Sequence, residues 1–258
     1  MEVLAGLADA DRRESLPRMG GMARPDGVVV VSERFWAFAG RDGTVREGKM
    51  PRPPAMTRRV PLVRGLVRLF ASVSPLFRRT GVARPRERLW LAAAVLAPFL
   101  LVLAPHRVGV FASIALFAAL LAWLVRGRTL SLHGAEHRAI RAAELRQLTR
   151  TWDGAARPSR FSQRCGTNFA ALALPITALS ERLWPLPWAL YTPLAVSLVS
   201  LALTMELWEF VHGSGRSLAK GLLLPGLGLQ RLTTREPSLE ETRTALTAVA
   251  SVLRRELA

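Results

Sequence analysis

The apolar positions fall into long continuous runs in the second and third quarters of the chain. Residues 89–104 and 108–125 are two such runs, separated by only three residues, and residues 186–207 form another. A membrane-spanning helix needs about 20 apolar residues, and roughly 17 are enough. Residues 169–179 are too short to span unless the helix continues through Trp184; otherwise they dip into the membrane and return. The pattern predicts about four spans, arranged as two hairpins.

A different pattern precedes these runs. Residues 1–23 are polar and contain glycines, which indicates an irregular segment. Between residues 26 and 45, valines and aromatic residues flank Asp42-Gly43, a dipeptide that suits the positive φ of a hairpin turn. The sequence therefore predicts a small β element, which the prolines of residues 51–54 close.

Two further helices are predicted outside the long apolar runs. In residues 60–77, apolar residues recur at helical spacing while Arg64 and Arg68 share the opposite face. Such a helix can lie in the headgroup layer of a membrane, and an ordinary helix packed on protein has the same pattern. Near the C-terminus, Ser238 and Glu241 have the spacing of a capping box that begins an amphipathic helix.

The predicted fold is thus mainly α: a polytopic helical membrane protein with a small N-terminal β element and a C-terminal amphipathic helix. Its predicted segments are a β-containing cytoplasmic element (1–59), a basic interfacial helix with a linker (60–88), a first transmembrane hairpin (89–125), a cytoplasmic segment (126–166), a second transmembrane hairpin (167–210), and a cytoplasmic loop with the C-terminal helix (211–258).

The charge of the chain favours a membrane partner over nucleic acid. With 36 Lys+Arg and 19 Asp+Glu, the formal net charge is +17, which in a soluble protein would indicate nucleic-acid binding. The predicted exterior turns, however, contain only Arg107 and Arg182 among the basic residues. This asymmetry predicts a multi-pass cell-membrane protein with cytoplasmic termini, whose partners are anionic lipid headgroups and an unknown substrate. The oligomeric state stays open.

The strongest local signal for chemistry is the string His-Gly-Ala-Glu-His at residues 133–137. On a helix, His133 and His137 lie one turn apart on the same face and can chelate one divalent ion such as zinc. Glu136 lies beside them as a candidate base for hydrolysis. The structural alternative is a hydrogen-bonded pair of histidines at the membrane boundary, with Glu136 paired to an arginine.

Two histidines need a third ligand, and three residues are candidates for it. Glu144 follows His137 by seven residues and lies near the same helical face. Glu206 stands in the last apolar run, where a carboxylate needs a polar partner. Cys165, beside Arg164 at the start of a predicted helix, is placed to form the thiolate that a metal or a reaction requires; alternatively it is a small buried apolar group.

The segment just before the final helix gathers hydrogen-bond donors. Thr233, Thr234 and Arg235 could bind an anionic headgroup or a phosphate, and a loop whose donors are satisfied within the protein has the same composition.

Three strings, L-H-G-A-E-H-R-A-I-R-A-A-E, R-C-G-T-N-F and P-G-L-G-L-Q-R-L-T-T-R-E-P, occur in this order between the apolar runs. In them the chain resembles the YqhQ-like bacterial membrane proteins, a family of unknown function described only as metal-dependent enzymes. The context T-M-E-L-W-E-F departs from the family's usual Tyr-Glu, so Glu209 is an alternative to Glu206. The matching positions are His133, Glu136, His137, Glu144, Cys165, Asn168, Glu206 and the run from Thr233 to Glu236.

The first hypothesis is a membrane-embedded, metal-dependent, hydrolase-like enzyme with its site at the cytoplasmic face. Its metal ligands would be His133, His137, Glu144 and Glu206, its catalytic residues Glu136 and Cys165, and its substrate-binding residues Asn168, Thr233, Thr234 and Arg235. The rival hypothesis is a non-enzymatic membrane scaffold or assembly factor, in which the same motifs pack loops against helices.

Overall fold

The computed structural model describes residues 2–78, 81–101, 106–124, 126–215 and 217–258. In these ranges the chain is mainly helical, with one small sheet near the N-terminus. The elements are α1 (Glu2–Asp11), β1 (Gly20–Arg24), β2 (Gly27–Val31), β3 (Phe35–Gly40), β4 (Val45–Lys49), a 3-10 turn (Ala55–Arg59), α2 (Val63–Phe77), α3 (Pro85–Leu101), α4 (His106–Leu124), α5 (Thr129–Leu145), α6 (Leu148–Trp152), α7 (Gly166–Arg182), α8 (Thr192–Gly213), α9 (Ser217–Gly221), α10 (Leu224–Thr233) and α11 (Leu239–Leu257).

The predicted β element is confirmed as an antiparallel sheet with strand order β1-β2-β3-β4. Gly43 takes a φ of +82° in the turn between β3 and β4, as the Asp-Gly dipeptide predicted. The expectation of an irregular segment over residues 1–23 is wrong, because α1 and β1 lie within it. Strand β1 forms because Gly20 to Arg24 pair along the whole length of β2, a long-range contact that local polarity does not reveal.

Both faces of the sheet are buried, which explains the continuous valine run in β2. Successive side chains of a strand point to opposite faces. One face packs on α5 and α11, and the other is covered by Val82 from the segment after α2. Val28, Val30, Ala37 and Ala39 belong to the first face, and Val29, Trp36 and Phe38 to the second.

Helices α5 and α11 pack against each other and against the sheet. All residues from Gly134 to Ile140 on α5 are buried, so this helix is enclosed around its circumference. The predicted capping box of α11 is confirmed: the Glu241 N–H donates to Ser238 Oγ at 3.1 Å, and the Ser238 N–H donates to Glu241 Oε2 at 2.9 Å.

The predicted fold of about four membrane spans is wrong. Among the described residues, only α8, with 22 residues, is long and apolar enough to cross a membrane. Within the described ranges α3 and α7 have 17 residues each, about 26 Å of helix, and both are shorter than α8. Arg107–Leu116, within α4, is a shorter apolar helical stretch. Residues 102–105, which lead into and begin the turn of the predicted first hairpin, and Val125, its last residue, lie outside the described residues.

Helix α2 packs against α8 through its arginine face. Arg64 binds Glu206, and Arg68 lies 3.0 Å from Glu209. Gly65 between them allows close approach, since a Cβ on it would lie 2.6 Å from Cβ of Met205. The polar side of α2 therefore faces protein, and apolar side chains such as Val63 and Phe70 are left exposed.

Candidate metal centre

Three potential ligand atoms converge where α5 meets the start of α7. His133 and His137 lie one turn apart on α5, with ring centroids separated by 4.4 Å. Cys165 precedes the first residue of α7, and its Sγ lies 3.2 Å from His133 Nε2. The candidate atoms of all three residues lie within 4.8 Å of one another. The structure thus joins the predicted histidine pair to one of the three predicted third ligands.

Backbone carbonyls orient both imidazole rings. His133 Nδ1 lies 2.8 Å from the carbonyl oxygen of Thr233, and His137 Nδ1 lies 2.6 Å from that of Arg160. Because a carbonyl only accepts hydrogen bonds, Nδ1 of each ring carries the proton and donates it. This leaves Nε2 of each ring with its lone pair, the state in which a histidine binds a metal.

His137 Nε2 has no hydrogen-bond partner in the described part of the chain, although it is buried. The nearest carboxylate oxygen, Glu136 Oε2, is 3.8 Å away, too far for a hydrogen bond. A buried polar atom without a partner costs about 1–3 kcal/mol. A cation held with His133 and Cys165 would satisfy this atom, so the residues present fit a divalent metal.

Cys165 also meets donors on the side of its sulfur that faces α7. The Thr167 N–H donates to Sγ at 3.4 Å, and Thr167 Oγ1 lies 3.0 Å from it. The positive end of the α7 dipole adds to these contacts. These contacts hold the sulfur at the start of α7, beside His133.

Glu136 is buried beside the cluster and packs against β1. Its carboxylate lies so close to Gly21 that a Cβ there would be 2.9 Å from Oε1. Burial raises the pKa of Glu136 to about 7, and the nearby His133 offsets part of this effect. A carboxyl group of this pKa can take up and release a proton near neutral pH. The strand beside Glu136 therefore needs a glycine at position 21, because a side chain there would clash with the glutamate.

The structure does not bring Glu144 or Glu206 to the histidines. Glu144 binds Arg141 at 2.7 Å and Arg164 at 3.2 Å near the surface. Glu206 accepts hydrogen bonds from Arg64 and from the Leu62 N–H, on the side of α8 that faces α2. Both carboxylates are paired with arginines. Cys165, and neither glutamate, lies beside the two histidines.

Asn168 is fully buried, and its amide holds the loop between α6 and α7. Its Nδ2 donates to the carbonyls of Ser162 and Gln163 at 2.9 and 2.8 Å. Gln230 on α10 donates to Asn168 Oδ1 at 3.0 Å and accepts from the Ser162 N–H at 2.9 Å. Gln230 belongs to the donor-rich segment before the final helix, but its contacts with Ser162 and Asn168 join distant segments and were not predicted.

The run from Thr233 to Arg235 contributes its backbone to the centre. Besides the Thr233 carbonyl that orients His133, the Arg235 N–H donates to the Leu130 carbonyl at 2.9 Å. Thr234 is buried, and its hydroxyl donates to the Gln230 carbonyl at 2.7 Å. These backbone and hydroxyl groups position α5. Of the three residues, only Arg235 is exposed to solvent.

A cavity of about 480 Å³ adjoins the centre, with His137 in its wall. The charged and polar residues that line it include Arg141, Glu144, Arg164 and Lys220. The buried imidazole of His137 therefore belongs to the three-residue cluster and also borders a space large enough for a small molecule.

Comparison with known proteins gives one match, which spans the whole cluster. Searches of curated proteins and of solved structures each found nothing similar to the chain. A family model described as "Protein of unknown function (DUF1385)" matches residues 89–255, which include His133, His137 and Cys165. The chain therefore belongs to this family of proteins of unknown function.

Proposed function

We propose that this chain is a metal-dependent, hydrolase-like enzyme, with zinc or a similar divalent ion held by His133 Nε2, His137 Nε2 and Cys165 Sγ. The observation that carries the proposal is the buried, partnerless Nε2 of His137, a residue that offers a ligand atom within 4.8 Å of ligand atoms of His133 and Cys165. Catalytic zinc sites use three protein ligands and keep a fourth position open. The cavity beside His137 would give a small molecule access to such a site.

The surrounding residues have separate roles in this proposal. The carbonyls of Thr233 and Arg160 fix the rings of His133 and His137. Glu136, with its pKa raised to about 7 by burial, accepts or donates the proton of the reaction. When bound, the ion acts as a Lewis acid toward substrate or water.

The same proposal places the enzyme at a lipid bilayer. Helix α8 is long and apolar enough to cross it, and α2 turns its arginines to α8 while Val63 and Phe70 are exposed. Trp90 and Leu89 on α3 and Phe111 on α4 are more than two-thirds exposed as well. Apolar surface of this extent suits lipid better than water. On its central motifs we place the chain with the YqhQ-like bacterial inner-membrane proteins.

One observation favours the rival function, a membrane scaffold or assembly factor. His137 binds a carbonyl of the loop between α6 and α7, and Asn168 and Gln230 bind the same loop, while His133 binds the last carbonyl of α10, so the motifs also pack the chain together. In a scaffold, His133→Ala would lower thermal stability or expression and no separable activity would be lost. A folded, stable His133→Ala protein that has lost a catalytic activity of the wild type would count against it.

Elemental analysis of protein purified without chelators tests the enzyme hypothesis. We expect about one equivalent of zinc or a similar ion in the wild type and less than about a tenth in His137→Ala. His212→Ala is the matched control, because His212 lines the cavity and contributes no atom to the cluster. A wild-type protein with less than about a tenth of an equivalent would remove the basis of the proposal.

A further inference from the structure

The cavity beside His137 has a strongly basic wall. Arg141 and Arg164 share one carboxylate, that of Glu144, at 2.7 and 3.2 Å. Lys220 also lines the cavity and has no carboxylate within 4.0 Å in the described residues. Three cations therefore line the cavity beside a single acid, which leaves an excess of two positive charges in its wall.

Neutral donors add to these charges. Ser159 Oγ accepts the Phe161 N–H at 3.0 Å, and Ser162 Oγ accepts the Arg164 N–H at 3.2 Å. Since each hydroxyl accepts from the backbone, its own hydrogen remains to be donated to a bound group. Both serines line the cavity.

The loop that carries these donors is fixed in place. Asn168 and Gln230, both fully buried, bind Ser162 and Gln163 through their backbone atoms. Arg138 donates to the Pro158 carbonyl at 3.0 Å at the other end of the loop. A preorganised site avoids the ordering entropy that a flexible loop would lose on binding.

We infer that this cavity binds the phosphate group of a phosphate-bearing substrate, whose reacting part lies toward His137. A phosphate monoester carries nearly two negative charges, which matches the two uncompensated cations, whereas a carboxylate would neutralise only one. Guanidinium groups bind phosphate oxygens in pairs. The role of the bound molecule as substrate rests on the proposed function, but the anion site itself does not.

Titration calorimetry with inorganic phosphate on the full-length, detergent-solubilised protein tests the site. Lys220→Gln and Arg164→Gln should each weaken binding about tenfold, the effect of losing one charge-assisted contact. Lys49→Gln is the matched control: Lys49 is the other lysine of the chain, exposed on β4 and outside the cavity. Because Lys220 is exposed, its substitution should leave the thermal midpoint unchanged.

Two further probes distinguish a lipid phosphate from a soluble one. Short-chain phosphatidic acid is compared with glycerol phosphate, and short-chain phosphatidylcholine, a diester without net charge, serves as the reference. Tighter, Lys220-dependent binding of the phosphatidic acid identifies a lipid headgroup, and equal binding of both monoesters identifies the phosphate alone. No saturable binding of any phosphate probe, or binding that Lys220→Gln leaves unchanged, overturns the inference.

Repeating the phosphate titration on chelator-treated and zinc-loaded protein separates this inference from the proposed function. Lys220-dependent binding by a protein that takes up no zinc supports the anion site and overturns the metal enzyme. Zinc uptake by a protein that binds no phosphate supports the metal enzyme and overturns the anion site.

Discussion

The backbone carbonyl of Arg235 occupies the space that a side chain on Gly134 would need. A Cβ on Gly134 would lie 2.2 Å from that oxygen and 3.3 Å from Cδ of Pro237. This contact sets the distance between α5 and the segment before α11, and with it the position of the Thr233 carbonyl that orients His133.

Gly134→Ala should therefore lower the free energy of unfolding by about 1–3 kcal/mol, because the backbone must move apart. In an open helix the same change raises stability by about 1 kcal/mol. Chemical denaturation measures the difference. Gly6→Ala on α1 is the control, since nothing lies within 4 Å of the Cβ it adds, and it should not destabilise. Equal effects of the two substitutions would contradict the close contact.

Metal content should depend on the cysteine and on neither distant carboxylate. Cys165→Ala and His133→Ala should each lower bound zinc at least about tenfold, because each removes an atom of the cluster. Glu144→Gln and Glu206→Gln should retain the metal, since arginines occupy both carboxylates. Elemental analysis of the four variants, prepared side by side, measures this. If Glu206→Gln lost the metal while Cys165→Ala retained it, Glu206 and not Cys165 would be the third ligand.

The ion pairs between α2 and α8 should differ in strength. Glu206 accepts from Arg64 and from the Leu62 N–H and is only a quarter exposed, whereas Arg68 and Glu209 are each about half exposed. Exposed pairs contribute little because water and salt screen them. Double-mutant cycles to alanine, read by thermal unfolding, should give the larger coupling for Arg64 with Glu206. Equal couplings would mean that the lower exposure of Glu206 does not strengthen its pair with Arg64.

Stability should fall in acid through Glu47. The hydrogen bond from Ser251, and to a smaller extent Arg254 and Arg255, lower the pKa of Glu47 below its ordinary value of 4.5. A carboxyl group with a lowered folded-state pKa stabilises the fold above its unfolded pKa, and this contribution is lost as the pH falls through the folded value. Stability measured by denaturation from pH 7 to pH 3 should show this loss.

Ser251→Ala is the matched variant for that measurement. It removes the 2.6 Å hydrogen bond to Glu47 and should cost about 1 kcal/mol at pH 7. Its difference from the wild type should shrink toward pH 3, where the carboxyl group is protonated in both proteins. A difference independent of pH would show that Ser251 acts by packing alone.

The sequence predicted those features that depend on neighbours in the chain. The Asp42-Gly43 turn, the capping box of Ser238, and the spacing of His133 and His137 are all local, and each occurs in the structure. Strand β1 was missed because its pairing with β2 and the approach of Glu136 to Gly21 are contacts between distant segments.

The ligand set shows the same limit. Sequence spacing placed Glu144 near the face of His137, and its position in an apolar run made Glu206 a candidate. Spacing does not show, however, which arginines pair with these carboxylates in the folded protein. Arg164 and Arg64 come from other segments and bind them. Cys165 reaches His133 because α7 starts beside α5, which is tertiary information. The number of spans was overestimated because the length of an apolar run in the sequence does not show how long the helix formed by that run is.

The contact between Gly21 and Glu136 sets the smallest fragment in which the centre can be studied. The family match begins at residue 89, yet the sheet that shields Glu136 from water lies before it. A fragment trimmed to the matched region would hydrate that carboxyl group and return its acidity to that of an ordinary glutamate. Such a fragment would keep every proposed ligand and lose the proton chemistry that burial confers.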